Sequence, residues 1–214
     1  MKFSMLVPCG KCGNRITVET AADARYPEAH CSVCKTVTWV IDDGRVSRRA
    51  FCRAEVELIS EDWSLAIILG AMSVECELAY LYSKWKSLEA NLIPNEVTPS
   101  HTESWEKEFR KLSAIGRRLD AVSAMLTGSS FDAFIASKPQ MDSAIHTTHS
   151  QLGCGSPKDF FVEALFWKRN KILHSGKVQF GRSEAEVCVR VAMTLLQIID
   201  VMDREKYGRH FGKT

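Results

Sequence analysis

Long apolar runs, internal repeats and low-complexity tracts are all missing from this chain of 214 residues. The longest uncharged stretch in the apolar body, residues 64–74, is eleven residues and ends at Glu75. A membrane-spanning helix needs about 20 apolar residues, so the stretch predicts a buried helix instead. Residues 1–9 hold one lysine and few apolar side chains. They do not read as a secretion signal, so the cytoplasm is the expected location and no membrane partner is expected. Net charge is also small, formally +2. The apolar share of 45% and charged share of 25% are those of an ordinary globular domain. The charge is unevenly spread, however: residues 1–53 carry nine Lys/Arg against five acids, and the remainder nineteen against twenty-one. A modestly basic N-terminal part suits either contact with nucleic acid or a solvated face.

The eight cysteines fall into two groups. Four come as paired knuckles, Cys9-x2-Cys12 and Cys31-x2-Cys34, and four (Cys52, Cys76, Cys154, Cys188) are scattered. Paired spacing without an export signal argues for metal, not disulfides. A two-residue gap lets both thiolates of a tight turn converge, and two such turns complete the tetrahedron that Zn2+ accepts. Strand patterns at residues 15–18 and 36–41 flank the knuckles. Residues 1–45 therefore resemble a zinc ribbon with Cys9, Cys12, Cys31 and Cys34 as ligands. With all four positions filled by protein the zinc is expected to be structural, and His30 has no vacancy to fill. Such a ribbon grips nucleic acid or protein, or serves only as a folded appendage. A second cluster, His146, His149 and Cys154, is poor in further ligands.

Residues 46–58 read as a basic connector without periodicity. Helical patterns then take over. An apolar stretch opens at 60–63 and runs to about Ala90, and Pro94 and Pro99 place a loop at 92–100. Ser100 and Glu103 form a capping-box pair ahead of an amphipathic run that lasts until Gly128. A short helical pattern covers 131–137. Ser156-Pro157 with Asp159 then starts a helix that carries Lys168, Arg169, Asn170, Lys171 and His174 and stops at Gly176. Ser183 and Glu186 cap a last helix reaching about Arg204, apolar on nearly every side, which predicts cover by its own core and by a second subunit. Trp85, Trp105 and Trp167 are expected in the core. Residues 207–214 form a basic tail.

Arginine with histidine five or six positions later occurs three times, at Arg25–His30, Arg169–His174 and Arg204–His210. The first spans Pro27 inside the ribbon and the last spans Gly208. Only Arg169–His174 has a polar residue directly after the arginine and closes a core helix. The string Arg169-Asn170-x-x-x-His174-Ser175-Gly176, with a final apolar helix after it, resembles the HEPN domains (higher eukaryotes and prokaryotes nucleotide-binding) over roughly residues 59–206. That resemblance implies an up-and-down helical bundle, a homodimer, and a metal-independent endoribonuclease in a toxin or antiviral-defence role, with RNA as substrate and a protein partner or inhibitor beside it.

The chemistry suits those residue types. His174 would act as general base or acid, Arg169 would offset charge on the phosphate, and Asn170 would orient His174 or the substrate. Lys168 and Lys171 would attract the RNA backbone. The ribose 2′-OH would attack its own phosphate, leaving a 2′,3′-cyclic phosphate and sparing DNA. On an ideal helix Asn170 and His174 lie about 40° apart, but Arg169 and His174 about 140° apart. The latter converge only if the helix loosens near His174, if Arg169 reaches around, or if a second copy approaches. Two other readings fit the same residues: a non-catalytic RNA- or protein-binding module, and a DNA-binding regulator led by the ribbon. In a plain helix end, the cations would simply face the last carbonyls.

Overall fold

A computed structural model describes residues 2–8, 15–21, 28–33, 35, 37–39, 45–92, 97–139, 155–175 and 180–211. The chain divides into two compact units, Met1–Arg45 and Val46–Thr214. Ligand positions Cys9, Cys12 and Cys34, the His146–Cys154 cluster and Gly176 lie outside the described residues.

In the first unit β1 (Lys2–Pro8) pairs antiparallel with β2 (Arg15–Ala21), and β3 (Glu28–His30) with β4 (Val37–Trp39). Pro8 is the register partner of Arg15, so the first cysteine pair falls, by number, between two paired strand ends.

The second unit is a helical bundle. Its helices are α1 (Val46–Ile59), α2 (Trp63–Glu89), α3 (Pro99–Lys111), α4 (Ile115–Thr127), α5 (Phe131–Ala136), α6 (Pro157–Phe161), a π-helical segment (Val162–Trp167), α7 (Lys168–Ser175) and α8 (Arg182–Phe211). From α6 through α7 the helix runs without a break. α2 is the hub, with α1, α3, α4, the π segment, α7 and α8 all packed on it. Leu78, Leu81 and Trp85 of α2 meet Leu119 and Val122 of α4, Phe161 and Leu165, and Leu195 and Ile199 of α8 in one core. Among the described helices α2 alone is long and apolar enough to cross a membrane, and half of its most apolar window is buried inside the bundle.

The basic connector expected at 46–58 is instead α1. Its buried positions, Ser47, Ala50, Ala54 and Glu57, follow helical spacing but include no large apolar side chain, so hydrophobic periodicity had nothing to detect. Ser47 donates to Glu77 of α2, and Arg53 pairs with Glu57, which satisfies carboxylates that small neighbours leave deep between the helices. The turn into α2 has Glu61 at φ +65° and Asp62 capping Leu65 N–H at 3.0 Å.

Three boundaries also differ from expectation. α3 is capped one turn earlier, by Thr98 in a box with His101, and the single amphipathic run is broken at residues 112–114. Arg118 Nε donates to the freed Leu112 carbonyl at 2.8 Å, so a side chain offsets a break that no Gly or Pro announces. The last helix begins at Arg182, with Glu184 accepting from Gly181 N–H at 3.0 Å, and it continues through the expected tail to Phe211. Its end is held because Lys206 donates to Met125 O at 2.8 Å and Arg209 to Leu126 O and Thr127 O. Those are orphan carbonyls at the C-terminal end of α4, where cations are favoured. α8 is also covered more fully than its composition suggests. Ala185, Cys188, Val189, Val191, Ala192, Leu195 and Ile199 are buried within this one chain, and Val187 and Met193 stay partly exposed. Apolar girth alone therefore does not require a second subunit.

Candidate functional site

The helix carrying the arginine–histidine segment is fixed firmly at its start. Ser156 accepts from Asp159 N–H at 3.2 Å, with Pro157 in the first turn. Lys158 N–H donates to Asp132 at 2.8 Å, and its ammonium reaches Asp120 of α4 at 2.6 Å. The Asp120 hydrogen bond, outweighing partial burial, raises the Lys158 pKa. These bonds tie α6 to α4 and α5.

The π segment then changes the helix's phase. Ala164, Leu165 and Phe166 are all buried, although three successive residues of an α-helix sweep about 200° and cannot face one core. An i→i+5 ladder turns less per residue, so the three share a face. The wider turn leaves the Ala164 carbonyl open to a second partner, and the Cys188 thiol of α8 donates to it at 3.2 Å. Burial pushes the Cys188 pKa up to about 11, which keeps the thiol protonated as a donor near neutral pH. This accounts for one of the scattered cysteines. The same phase change places Trp167 outward, 49% exposed, where the sequence reading expected a core residue. Trp85 is fully buried, and Trp105 packs against the core from its edge.

Beyond Trp167 regular α geometry resumes, and α7 has no buried residue. Arg169 turns toward the bundle, where its guanidinium donates to Glu75 of α2. Arg118 of α4 brings a second guanidinium to within 3.9 Å of the same carboxylate oxygen and lies 5.2 Å over the Phe109 ring. Asn170, Lys171 and His174 are exposed. The Lys171 ammonium sits 4.0 Å from the centroid of the Trp167 ring, and Lys168 lies 5.8 Å over Phe180. Ser175 Oγ donates to Lys171 O at 2.6 Å, the i−4 bond of an intact last turn.

The helix is thus loosened upstream of Arg169, not between Arg169 and His174. Asn170 and His174 share a face, while Arg169 faces α2, and no hydrogen bond among the described residues joins Arg169 to His174. Within one chain the segment presents an imidazole and an amide on one side and an anchored cation on another. Glu75 and Arg118 complete the arginine's surroundings. Only Glu75 had a sequence signal, as the first charge after an uncharged run; Arg118 had none, because its role depends on where α4 crosses α2.

At the second cysteine pair, Cys31 is buried and its carbonyl accepts from Lys35 N–H at 2.9 Å, with Lys35 at φ +57°. This tight turn brackets the Cys-x2-Cys spacing and suits a metal knuckle. Among the described residues no group of three or more His, Cys, Asp or Glu forms a metal site. Comparisons of the chain with protein-family models, with curated proteins and with solved structures find no match.

Proposed function

We propose that this chain is a metal-independent endoribonuclease of the HEPN type, acting as a homodimer on RNA in a toxin or defence role in the cytoplasm. One observation carries the reading: a carboxylate-anchored arginine adjoins an exposed amide and imidazole at the open end of a core helix. In the proposed step His174 accepts the 2′-OH proton as the 2′-oxygen bonds to phosphorus. The P–O5′ bond breaks, and the 5′-oxygen leaves with a proton from the second copy's imidazole. Arg169 keeps its contact with Glu75 and offers its remaining N–H donors to the non-bridging phosphate oxygens. Because Arg169 and His174 diverge within one chain, a second copy supplies the missing side of the phosphate. Asn170 orients His174 or the substrate, and Lys168 and Lys171 attract the RNA backbone.

The test compares wild type with Arg169→Ala and His174→Ala on RNA and on DNA in magnesium-free buffer. RNA cleavage to 2′,3′-cyclic phosphate ends, lost in both variants, supports the proposal. Equal cleavage by the variants, or none by a folded dimer, overturns it. One observation favours a second reading, a non-catalytic RNA- or protein-binding module: the Arg169–Glu75 pair neutralises the cation that the reaction needs. In either reading Cys9, Cys12, Cys31 and Cys34 hold a structural zinc, which contributes folding energy to a unit too small for a sufficient core of its own. Elemental analysis should find one zinc per chain, lost in a Cys31→Ser, Cys34→Ser double variant.

A further inference from the structure

We propose that the exposed face formed by Trp167, Asn170, Lys171 and His174 is a platform for single-stranded RNA, with one nucleobase stacked on the Trp167 indole. The proposal rests on RNA as the ligand but not on catalysis. The four residues stand at i, i+3, i+4 and i+7, the spacing of a single helix face, and all four are exposed. Trp167 is the last residue of the π segment. The phase change that buries Ala164, Leu165 and Phe166 together leaves this large ring half in solvent.

A half-exposed indole beside a cation matches how sequence-tolerant single-strand binders work. The ring takes the base, and the ammonium takes the phosphate beside it. Lys171 already lies against that ring and has a flexible stem, so it can pass from indole to phosphate without moving the helix. Charge selects the occupant. Lys168 to Ser175 contain three Lys/Arg and no acid, which is complementary to a polyanion. Leu173, 53% exposed, is the aliphatic neighbour on α7 and stands about 100° around the axis from His174. Glu163, the nearest acid in sequence, is exposed within the π segment and marks the upstream limit for a phosphate chain. A base on Trp167 would lie two helical turns from His174, so a strand laid along this face places a neighbouring phosphate near the imidazole.

The experiment measures binding by fluorescence anisotropy, using a labelled single strand with 2′-O-methyl riboses so that no cleavage intervenes. A duplex of the same sequence serves as the second probe. Trp167→Ala should weaken single-strand binding roughly tenfold or more, Trp167→Phe should retain most of it, and duplex affinity should barely change. Thermal melts and sedimentation of each variant accompany the titrations. Unchanged single-strand affinity in Trp167→Ala overturns the platform, as does an equal loss for strand and duplex, which would mean charge alone. Unchanged affinity per protomer with loss of self-association overturns it in favour of a protein contact. RNA cleavage that survives in Trp167→Ala at undiminished affinity would remove the platform and leave the nuclease reading standing.

Discussion

The two ends of a single unbroken helix obey different rules. Its first half places Phe160, Phe161, Ala164, Leu165 and Phe166 in the core, and its second half, Lys168–Ser175, buries nothing. The residues that could act on a ligand all belong to the half that stability does not need. Between the halves lies the π segment, where the helix changes phase and Cys188 occupies a carbonyl. The core half therefore sets the position of the open half, and the open half is free to vary in chemistry. Substitutions upstream should cost stability, and substitutions downstream should cost activity.

The largest break is expected from Phe161→Ala, which empties a fully buried position and should lower stability by about 3–5 kcal/mol. Urea unfolding checks it, and a loss under about 1 kcal/mol would mean that the upstream half is not core. Cys188→Ala comes next, at roughly 1–2 kcal/mol for lost volume and a carbonyl left with one partner fewer. The pH dependence has a definite sign. The folded thiol pKa is raised to about 11 from a reference of 9.0 by burial. The unfolded chain therefore releases its proton first, and this contribution to stability is complete below about pH 9 and lost as pH rises toward about 11. Comparing urea midpoints at pH about 8 and about 10 should show a decline in wild type that is smaller in Cys188→Ala.

Glu75→Gln tests the link between the halves. The ion pairs are partly exposed, so stability should change by less than about 1 kcal/mol. RNA cleavage should fall about ten- to a hundredfold as Arg169 loses its anchor. A gain in cleavage would show the carboxylate competing with phosphate instead. The smallest thermodynamic effect belongs to His174→Ala, within about 0.5 kcal/mol by thermal melting, although the proposed reaction loses its proton carrier. A destabilised His174→Ala would make the imidazole a structural cap and dissolve the contrast.

Much of the bundle was legible because its signals are local. Asp62 before Trp63, Ser156-Pro157-Lys158-Asp159 and Phe131–Ala136 were found at their observed places, since caps and periodicity are properties of adjacent residues. α1 was missed because its buried face is Ser, Ala, Ala and Glu, apolar in packing but not in pattern. The break at residues 112–114 depends on Arg118 reaching Leu112 O. The end of α8 depends on carbonyls of α4 that lie about eighty residues earlier. Trp167 was misplaced because an α-helical wheel assumes 3.6 residues per turn through a segment that does not keep it.

By itself the sequence determined that a helix begins at Ser156-Pro157 and that Arg169, Asn170 and His174 lie near its end, with Asn170 and His174 on one side. Those facts follow from capping chemistry and a fixed helical pitch. Tertiary structure alone decided what each side chain meets: Glu75 and Arg118 for Arg169, solvent for His174, and a half-exposed ring for Trp167. Packing Ala164, Leu165 and Phe166 against α2 and α8 forced the π turn, and that turn set the phase of everything after it. Local chemistry fixed where the helix starts, and long-range packing fixed which way it faces.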